Sequence, residues 1–345
     1  MNAENIIIPL VSVVIPNLNG MKFLPACLSS LQNQTFREFE IIIVDNGSKD
    51  ESVDFIKTSF PGTIIIENKQ NVGFAEANNQ GIRAARGKYI ATLNNDTEAD
   101  RDWLRTIVTE AENSANDVGM WAPKILALQN KREIDSVGGL LLYRDGIAKG
   151  RGRLETDNGQ YDNVKEILCP SACCGLYRKI MLDEIGYFDS DFFAYCEDND
   201  LGLRARLAGW QALSVPASIV YHYYSGTGGT YSHTKAFLVE RNHLWVAWKN
   251  FPITWNIMLP FYVFLRYIMQ FYGTLSGKGS AAKFVESYSA KDVIVIMIKS
   301  YMAALRGLPL ILRKRRLLRR RLSQREFAGI LNKHAIAAKA LALMD

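Results

Sequence analysis

The sequence has few of the residues that mark a disulfide-stabilised or metal-clustered protein. Its five cysteines form no CxxC pair and follow no regular spacing: Cys27, Cys169, Cys173, Cys174 and Cys196. Structural disulfides concentrate in oxidising compartments, so this usage indicates a reduced, cytosolic protein. The three cysteines between 169 and 174 can be interpreted as a metal cluster or as small buried side chains, and the pattern favours the second.

Long uncharged apolar runs are also missing. Residues 6–10 are too short an apolar segment for a secretory signal. The aromatic segment 251–272 contains two prolines and an arginine, and the apolar segment 293–312 contains two basic residues. A membrane-spanning helix needs about 20 apolar residues, so neither segment predicts one.

Two nucleotide-binding signatures are absent from the sequence. It contains no GxGxxG and no GxxxxGK[ST] motif, which argues against a dinucleotide site and a P-loop. The 345 residues still allow a substantial core, with one large domain and a smaller one. The net charge of +6 is concentrated near the C-terminus.

The first 125 residues alternate between short apolar β-rich segments and segments with helical spacing. The predicted strands are 11–15, 41–44, 63–66 and 89–93, with a further one at 120–123. Helices are predicted at 23–31, after a capping box of Ser48 and Glu51, from Asn71 to near Gly87, and at 103–113. Such alternation predicts an α/β fold with a mainly parallel sheet.

Polar turns follow three of these strands, at 16–19, 45–48 and 94–96. Ligands of open α/β sheets bind beyond the carboxyl ends of the strands. Asp96 is therefore placed for a metal or a phosphate-bearing ligand, and Asp45 for a base or a ribose. Asn and Asp also dominate turns and helix caps, so both aspartates could instead be purely structural.

A second group of carboxylates lies at Glu197, Asp198 and Asp200, in the predicted first turn of a helix that Gly209 can end. The helix dipole stabilises acidic residues there, which is the structural alternative. The same dipole keeps a carboxylate ionised, as a general base must be. His222 follows another predicted strand, 212–215, and is either a structural residue or a metal ligand.

The composition changes after about residue 235. We predict a catalytic region over 1–235, with a nucleotide-binding half at about 9–125 and an acceptor half at about 126–235. Residues 236–345 form a helical region in which the basic segment 313–321 follows apolar helices. That combination suits an anionic membrane surface, at about 1 kcal/mol for each basic residue. A soluble helical cap is the alternative, and no stacking-aromatic motif supports nucleic-acid binding.

Two glycine-rich segments are predicted to border the site. Residues 144–165 are also charged and are expected to form a variable excursion near the acceptor. Residues 225–230 are expected to form a mobile flap over the donor.

Four segments in order resemble the motifs of family 2 glycosyltransferases, most closely the bacterial rhamnosyltransferases of O-antigen and cell-wall linker assembly. They are VVIPNLNG at 13–20, VDNGS at 44–48, NVGFA at 71–75 and LNNDT at 93–97. One such match would be weak, whereas four in the right order are specific. Later segments around Glu197–Asp198 and Glu240–Arg241–Asn242 also resemble family motifs.

The resemblance implies a GT-A-like, Rossmann-like fold and a set of site residues. It implies Asp198 as the catalytic base, with Glu197 orienting the acceptor or the base. The implied metal ligands are Asp96, His222 and Asn94, the last standing where many relatives carry the first aspartate of a DxD. Donor-binding positions are Pro16, Asn17, Asn19, Asp45, Asn46, Asn71, Gly73, Asn95 and Arg241, which could meet a diphosphate.

The expected function is inverting sugar transfer with Mg²⁺ or Mn²⁺. The resemblance favours dTDP-rhamnose as donor, with a UDP-sugar as the alternative, and a saccharide or polyprenyl-diphosphate-linked acceptor. A peripheral location on the cytoplasmic face of the bacterial inner membrane would fit. A nucleotidyltransferase usually carries a basic Gly-rich loop after its first strand, where this chain has only Lys22 nearby. A non-catalytic membrane-bound scaffold is the other alternative, and Asn94 is the feature that suggests it.

Overall fold

The predicted alternation of strands and helices is present in the computed structural model, which describes residues 9–223 and 232–343. The strands are β1 (Val11–Asn17), β2 (Phe39–Asp45), β3 (Ile64–Glu67), β4 (Tyr89–Leu93), β5 (Thr97–Ala99), β6 (Val118–Ala127), β7 (Ile134–Ser136), β8 (Leu140–Leu142), β9 (Ala148–Gly150), β10 (Cys174–Arg178) and β11 (Gln211–His222).

The helices divide between the first 207 residues and the C-terminal region. The first set is α1 (Leu24–Gln32), α2 (Ser52–Ser59), α3 (Phe74–Ala84), α4 (Trp103–Asn113), α5 (Lys179–Ile185) and α6 (Glu197–Leu207), with a 3₁₀ turn at Ser190–Phe192. The second set is α7 (His233–Asn250), α8 (Ile253–Leu275), α9 (Gly279–Ser287), α10 (Ala290–Leu317), α11 (Gln324–Lys333) and α12 (Ala338–Leu343).

The central sheet is mixed rather than mainly parallel. Its order is β3-β2-β1-β4-β10-β6-β11-β5, with β7 paired to β6. The first four strands are parallel, whereas β10 runs antiparallel to both β4 and β6. The backbone N–H of Asn94 donates to the carbonyl of Cys173 at 2.9 Å, so β10 starts where β4 ends. This reversal brings residues 171–173 to the polar edge of the sheet.

The predicted capping box of Ser48 and Glu51 is wrong. Helix α2 begins at Ser52, and Asp50 Oδ1, not Ser48, accepts from the Ser52 N–H at 3.1 Å. The hydroxyl of Ser48 instead donates to Asp45 Oδ1 at 2.6 Å and accepts from the Asn19 N–H at 2.8 Å. Ser48 therefore closes the turn after β2, because both capacities of its hydroxyl are used there.

The strand predicted at 212–215 extends much further, to His222. Pro216 cannot donate to the ladder, and the register with β6 shifts between Val215 and Ile219. Beyond this irregularity β11 resumes and also pairs with β5, where His222 lies opposite Thr97. His222 is therefore fixed at a strand end, directly beside Asp96.

The C-terminal helices share the apolar core of the sheet. One continuous core cluster contains Val14 of β1 and Leu201 of α6 together with Trp245 of α7, Ile311 of α10 and Leu331 of α11. The change in composition after residue 235 therefore does not mark a separate core.

Candidate active site

A cavity of about 480 Å³ opens beyond the carboxyl ends of β1, β2 and β4, a volume that suits a small-molecule ligand. Asp96 follows β4 and Asp198 lies in the first turn of α6, and both line this cavity. The two acidic residues that the sequence singles out, about a hundred positions apart, thus share one cavity.

Asparagines form the wall of the cavity at the end of β1. The side chain of Asn17 donates to Asp45 Oδ1 at 2.9 Å and accepts from Asn95 Nδ2 at 2.7 Å. Gly20 packs against both amides, and a Cβ there would lie 2.1 Å from Asn17 Oδ1 and 2.3 Å from Asn95 Nδ2. Sequence reasoning missed Gly20, although a glycine ending a polar turn is a signal of close backbone approach.

The predicted donor-binding residues fall into two groups. Four polar or turn residues besides Asn17 line the cavity: Pro16, Asn46, Asn71 and Asn95. Gly73 does not. Its φ is +91°, and a Cβ there would lie 2.6 Å from Phe193 Cδ2, so this glycine allows two loops to pack closely.

Asp45 and Asn19 lie behind or outside the cavity wall. Asp45 is 2% exposed, and its carboxylate accepts bonds from Asn17, from the Gly47 N–H and from both donors of Ser48. Asn19 is exposed, with φ +48°, and accepts from the Lys49 N–H at 2.8 Å. Both residues link the turn after β1 to the turn after β2. Their contact with a nucleotide stays a prediction.

Asp96 and His222 form a buried pair in the cavity wall. Asp96 Oδ1 lies 3.4 Å from His222 Nε2, and His222 Nδ1 lies 2.7 Å from Asp135 Oδ2. Asp135 in turn pairs with Arg153, which also lines the cavity. Asp135 thus orients the imidazole so that Nε2 faces Asp96, an arrangement common around metal-binding histidines.

The same corner contains buried oxygens that suit a cation. Asp96 Oδ1 is buried and accepts no hydrogen bond of good geometry among the described residues, its ion-pair contact being His222 Nε2 at 3.4 Å, and Asn94 Oδ1 is buried without a hydrogen-bond partner there. Buried polar atoms are rarely left unpaired, and carboxylate and amide oxygens are ligands for divalent cations. Among residues 9–223 and 232–343, however, no group of three or more His, Cys, Asp or Glu could hold a metal ion alone. Further ligands would have to come from a substrate or from water.

The charge on His222 is controlled by its neighbours. Burial lowers the pKa of the imidazole, but Cys173, Asp135 and Asp96 around the ring outweigh burial and raise the pKa well above its ordinary value. The two aspartates therefore favour the charged form of the ring.

Asp198 faces the cavity and is held by backbone donors. Its Oδ2 accepts from the Ala172 N–H at 3.2 Å and its Oδ1 from the Asn199 N–H at 2.8 Å. Burial raises the pKa of Asp198 and outweighs these bonds, which lower it. The sequence predicted that the helix dipole would keep this carboxylate ionised, whereas the structure shifts its pKa upward, toward the range that suits a general base.

The neighbouring carboxylates have opposite environments. Glu197 is 4% exposed, its Oε2 has no hydrogen-bond partner among the described residues, and burial together with the Asp198 charge raises its pKa well above the ordinary value. Burial also raises the pKa of Asp200, but Lys249 and Arg204 outweigh it and hold that pKa well below the ordinary value. Asp200 therefore bonds within the structure.

Glu197→Gln is expected to stabilise the protein, and the gain should increase with pH. A carboxyl group whose pKa is higher when folded stabilises the fold below its unfolded pKa, and this contribution is lost as pH rises through the folded pKa. Glutamine cannot ionise, so the melting temperature of the variant relative to wild type should rise by roughly 2–4 °C between about pH 5 and about pH 8. Thermal melts of Glu110→Gln, at an exposed position, provide the control. If the melting temperatures of Glu197→Gln and wild type differ by the same amount at every pH in this range, the pKa of Glu197 is not raised.

The loop that leads into α6 has unusual backbone geometry. Phe193, Tyr195 and Cys196 have φ of +65°, +68° and +67°, which non-glycine residues rarely adopt. Asn242 of α7 is fully buried, and its amide donates to the carbonyls of Phe192, Ala194 and Tyr195 at 2.7–3.0 Å. The Asn242 side chain therefore anchors three carbonyls of a strained loop that lines the cavity.

Arg241 belongs to the same support and does not line the cavity. Its guanidinium donates to the carbonyls of Asp191 and Phe192 at 3.2 and 2.9 Å and stacks over the ring of Trp245. Arg241 and Asn242 of the family-like segment at 240–242 therefore secure the loop before α6, and a diphosphate contact of Arg241 stays a prediction.

Asn242→Ala is expected to destabilise the protein by about 1–3 kcal/mol, because buried carbonyls lose their donor. Urea denaturation should show a lower midpoint, and turnover should also fall because the loop before Asp198 loosens. Asn113→Ala, at the exposed end of α4, should change neither. Normal stability of the Asn242 variant would show that other contacts hold the loop.

Cationic side chains of the cavity come from segments outside the recognised motifs. Lys149 and Arg153 come from the excursion after β8, and Lys235 comes from the first turn of α7. Sequence reasoning placed the excursion near the site without identifying these residues, since nothing in their spacing indicates where the segment folds. The flap predicted at 225–230 lies outside the described residues.

The sequence of this chain is similar to those of known glycosyltransferases. Residues 12–186 match the family described as glycosyl transferase family 2. An uncharacterised glycosyltransferase of Bacillus subtilis, EpsJ, is 35% identical over 115 residues, which are 32% of this chain and 33% of the relative. The chain spans between 28% and 36% of the length of the curated relatives it matches.

Solved structures show a similar fold. The structure of residues 1–349 of TarS from S. aureus gives a TM-score of 0.52 at 14% identity, covering 89% of this chain and 91% of that one. GalNAc-T7, solved with UDP, GalNAc and Mn²⁺, gives a TM-score of 0.58 at 19% identity, covering 89% of this chain and 59% of that one. These likenesses confirm the GT-A-like fold, a mixed sheet flanked by helices with a helical C-terminal region. Together with the family match over half its length, they show that this chain belongs to glycosyl transferase family 2.

Proposed function

We propose that the chain catalyses the inverting transfer of a sugar from a nucleoside diphosphate to a hydroxyl group of a saccharide acceptor. The observation that carries the proposal is that Asp198 and Asp96 line one cavity whose volume would admit a sugar between them. Asp198, a carboxylate with a raised pKa, can act as base, and the buried carboxylate of Asp96 beside His222 can hold a cation.

The proposed reaction is a single displacement. Asp198 accepts the proton of the acceptor hydroxyl, whose oxygen forms a bond to the anomeric carbon as the bond from that carbon to the diphosphate oxygen breaks. The nucleoside diphosphate leaves on the opposite face with the bonding electrons, so the anomeric configuration inverts. Glu197 lies beside Asp198 and would orient the acceptor or the base.

The residues at the other side fit a divalent cation. Asp96 and His222 would hold Mg²⁺ or Mn²⁺, with Asn94 as a neutral oxygen ligand and a substrate diphosphate supplying others. Such an ion neutralises charge that develops on a leaving diphosphate. The GalNAc-T7 structure, which was solved with Mn²⁺ and UDP, supports the proposal.

The donor and acceptor are proposed from the motifs and from the charge of the cavity. The likeness of four motifs to bacterial rhamnosyltransferases favours dTDP-rhamnose, with a UDP-sugar as the second choice. Lys149 and Lys235 line the cavity and give it positive charge that would suit a diphosphate-linked acceptor. The reaction would then belong to bacterial surface polysaccharide synthesis on the cytoplasmic face of the inner membrane.

A donor screen tests this proposal. Calorimetric titration of dTDP-rhamnose, UDP-sugars and GDP-sugars, each with and without Mn²⁺, should find one donor whose binding needs the metal. Analysis of the product by NMR should then show an inverted anomeric centre. Retention of configuration, or formation of a nucleotide sugar from a sugar phosphate and a nucleoside triphosphate, would refute it.

A further inference from the structure

Helix α8 exposes a row of large apolar side chains. These residues are 43–72% exposed and recur every three or four positions, so they share one helix face: Ile257, Phe261, Phe264, Ile268, Phe271 and Leu275. Single exposed apolar residues are ordinary on protein surfaces, whereas a continuous apolar face marks an interaction site.

Helix α10 exposes a second row. Its members are 42–59% exposed: Ile294, Ile298, Met302, Leu305 and Leu312. The hydroxyls of Tyr267 in α8 and Tyr301 in α10 lie 2.9 Å apart, so the two helices are neighbours. We call the two rows together the α8–α10 face.

Positive charge accompanies the face. Residues 251–321 contain 13 Lys and Arg but only two acidic residues. Lys299, Arg306 and Arg313 are exposed and spaced by seven, nearly two helical turns, so they form a line along one side of the α10 row.

Part of the basic segment 313–321 serves a structural purpose. Lys314 pairs with Asp189 and Asp191, and Arg319 and Arg321 pair with Glu184. These three cations of the segment therefore already have acidic partners within the protein, and contact of the basic segment with a membrane stays a prediction.

Helix α10 is anchored along its inner side. By length and composition it is the one helix among the described residues that could cross a membrane, with a mean hydropathy of 1.6 over its most apolar part. Its Ala304 carbonyl accepts from Trp245 Nε1 at 3.1 Å, and its Ser300 hydroxyl donates to the Phe237 carbonyl at 3.1 Å. Gly307 also lies against the indole of Trp245. Crossing would require these contacts with α7 to break, so the packing favours a helix that lies in the membrane plane.

We propose that the α8–α10 face docks on an anionic lipid bilayer, with its apolar rows entering the interface and Lys299, Arg306 and Arg313 meeting lipid phosphates. A second copy of the chain is a poorer occupant, because two such faces would bring like charges together. The proposal goes beyond sugar transfer, since docking needs neither donor nor acceptor.

The docked face is joined to the cavity wall. The fully buried Arg266 of α8 pairs with Asp145, which precedes the cavity-lining segment 147–150, and with Glu240 of α7 at 2.8 Å. Docking through α8 would therefore hold the cavity in a fixed relation to the bilayer, as a lipid-linked substrate requires.

Sedimentation of the full chain with sucrose-loaded vesicles tests the proposal. The chain should bind vesicles that contain phosphatidylglycerol, bind pure phosphatidylcholine far less, and dissociate at about 1 M salt, where charges are screened beyond about 3 Å. Neutralising all three flanking cations (Lys299→Gln, Arg306→Gln, Arg313→Gln) should weaken binding about a hundredfold. The matched control changes three exposed cations elsewhere: Lys69→Gln, Arg101→Gln and Arg132→Gln.

A second variant tests the apolar rows. Phe264→Ser with Phe271→Ser should also weaken vesicle binding, and because both side chains are exposed the circular dichroism and melting temperature should stay near wild type. Equal binding to both vesicle types, or unchanged binding by both variants, would overturn the proposal. So would a dimer, seen by sedimentation velocity, that this serine variant abolishes. None of these assays depends on sugar transfer.

Discussion

Replacing Asp198 with asparagine is expected to lower turnover by about 10²–10⁴-fold, the usual contribution of a general base. Asparagine keeps the size of the side chain and can still accept the bond from the Ala172 N–H, but it cannot take a proton. Donor affinity, measured by calorimetry, should change little, because the asparagines of the cavity wall lie at or just after the ends of β1, β2 and β4, away from α6. Asp183→Asn, on the exposed side of α5, is the matched control and should keep wild-type turnover.

The pH dependence gives an independent test of Asp198. A base must be deprotonated, so kcat/KM should fall as pH drops through the pKa of Asp198, which burial raises above the ordinary value of 3.8. The residual activity of Asp198→Asn should lack this acidic limb. Full turnover of the variant, or the same limb in its profile, would mean that another group takes the proton.

Replacing Asp96 with asparagine is expected to remove most metal-dependent donor binding. The substitution preserves the size of a side chain that is 5% exposed and removes the negative charge that would hold the cation. Charge stabilisation by a metal is worth several kcal/mol, so kcat should fall by about 10²–10³-fold. Titration of the donor with and without Mn²⁺ should give nearly equal affinities for this variant.

The matched comparison for Asp96→Asn is Asn94→Asp, which adds a carboxylate two positions away instead of removing one. Asn94 Oδ1 is buried in the same corner without a hydrogen-bond partner among the described residues, and Asn94→Asp adds a second carboxylate beside Asp96. This variant should bind Mn²⁺ more tightly than wild type does, and should be less stable without it because like charges then lie close together. If Mn²⁺ changes donor affinity equally in wild type, Asp96→Asn and Asn94→Asp, then Asp96 does not belong to the proposed metal site.

Much of the first half of the fold could be predicted from local pattern. Strand β4 and helix α4 have the predicted bounds, since an apolar run and helical spacing are local properties of the chain. The polar residues that end β1 and β4 also identified one side of the cavity, because carboxyl ends of parallel strands meet at one edge. The predicted family is confirmed by the match over residues 12–186.

Other features depended on long-range contacts that no local pattern reports. The Ser48 hydroxyl bonds Asp45 and the Asn19 N–H instead of a helix terminus, and the Arg241 guanidinium donates to the backbone carbonyls of residues 191 and 192. Asp135 was not predicted at all, since its pairing with His222 joins strands 87 positions apart.

The sequence by itself determined the order of strands and helices in the first 125 residues, the family, and which carboxylates are candidates for chemistry, because these depend on residue type and spacing. Only the tertiary structure decided that β10 runs antiparallel into the sheet, that burial raises the pKa of Asp198, and that Lys314, Arg319 and Arg321 of the basic segment pair with acidic residues of the protein. The physical reason is that the pKa of a side chain, and the partners of its charge, are set by neighbours that the chain supplies from distant positions.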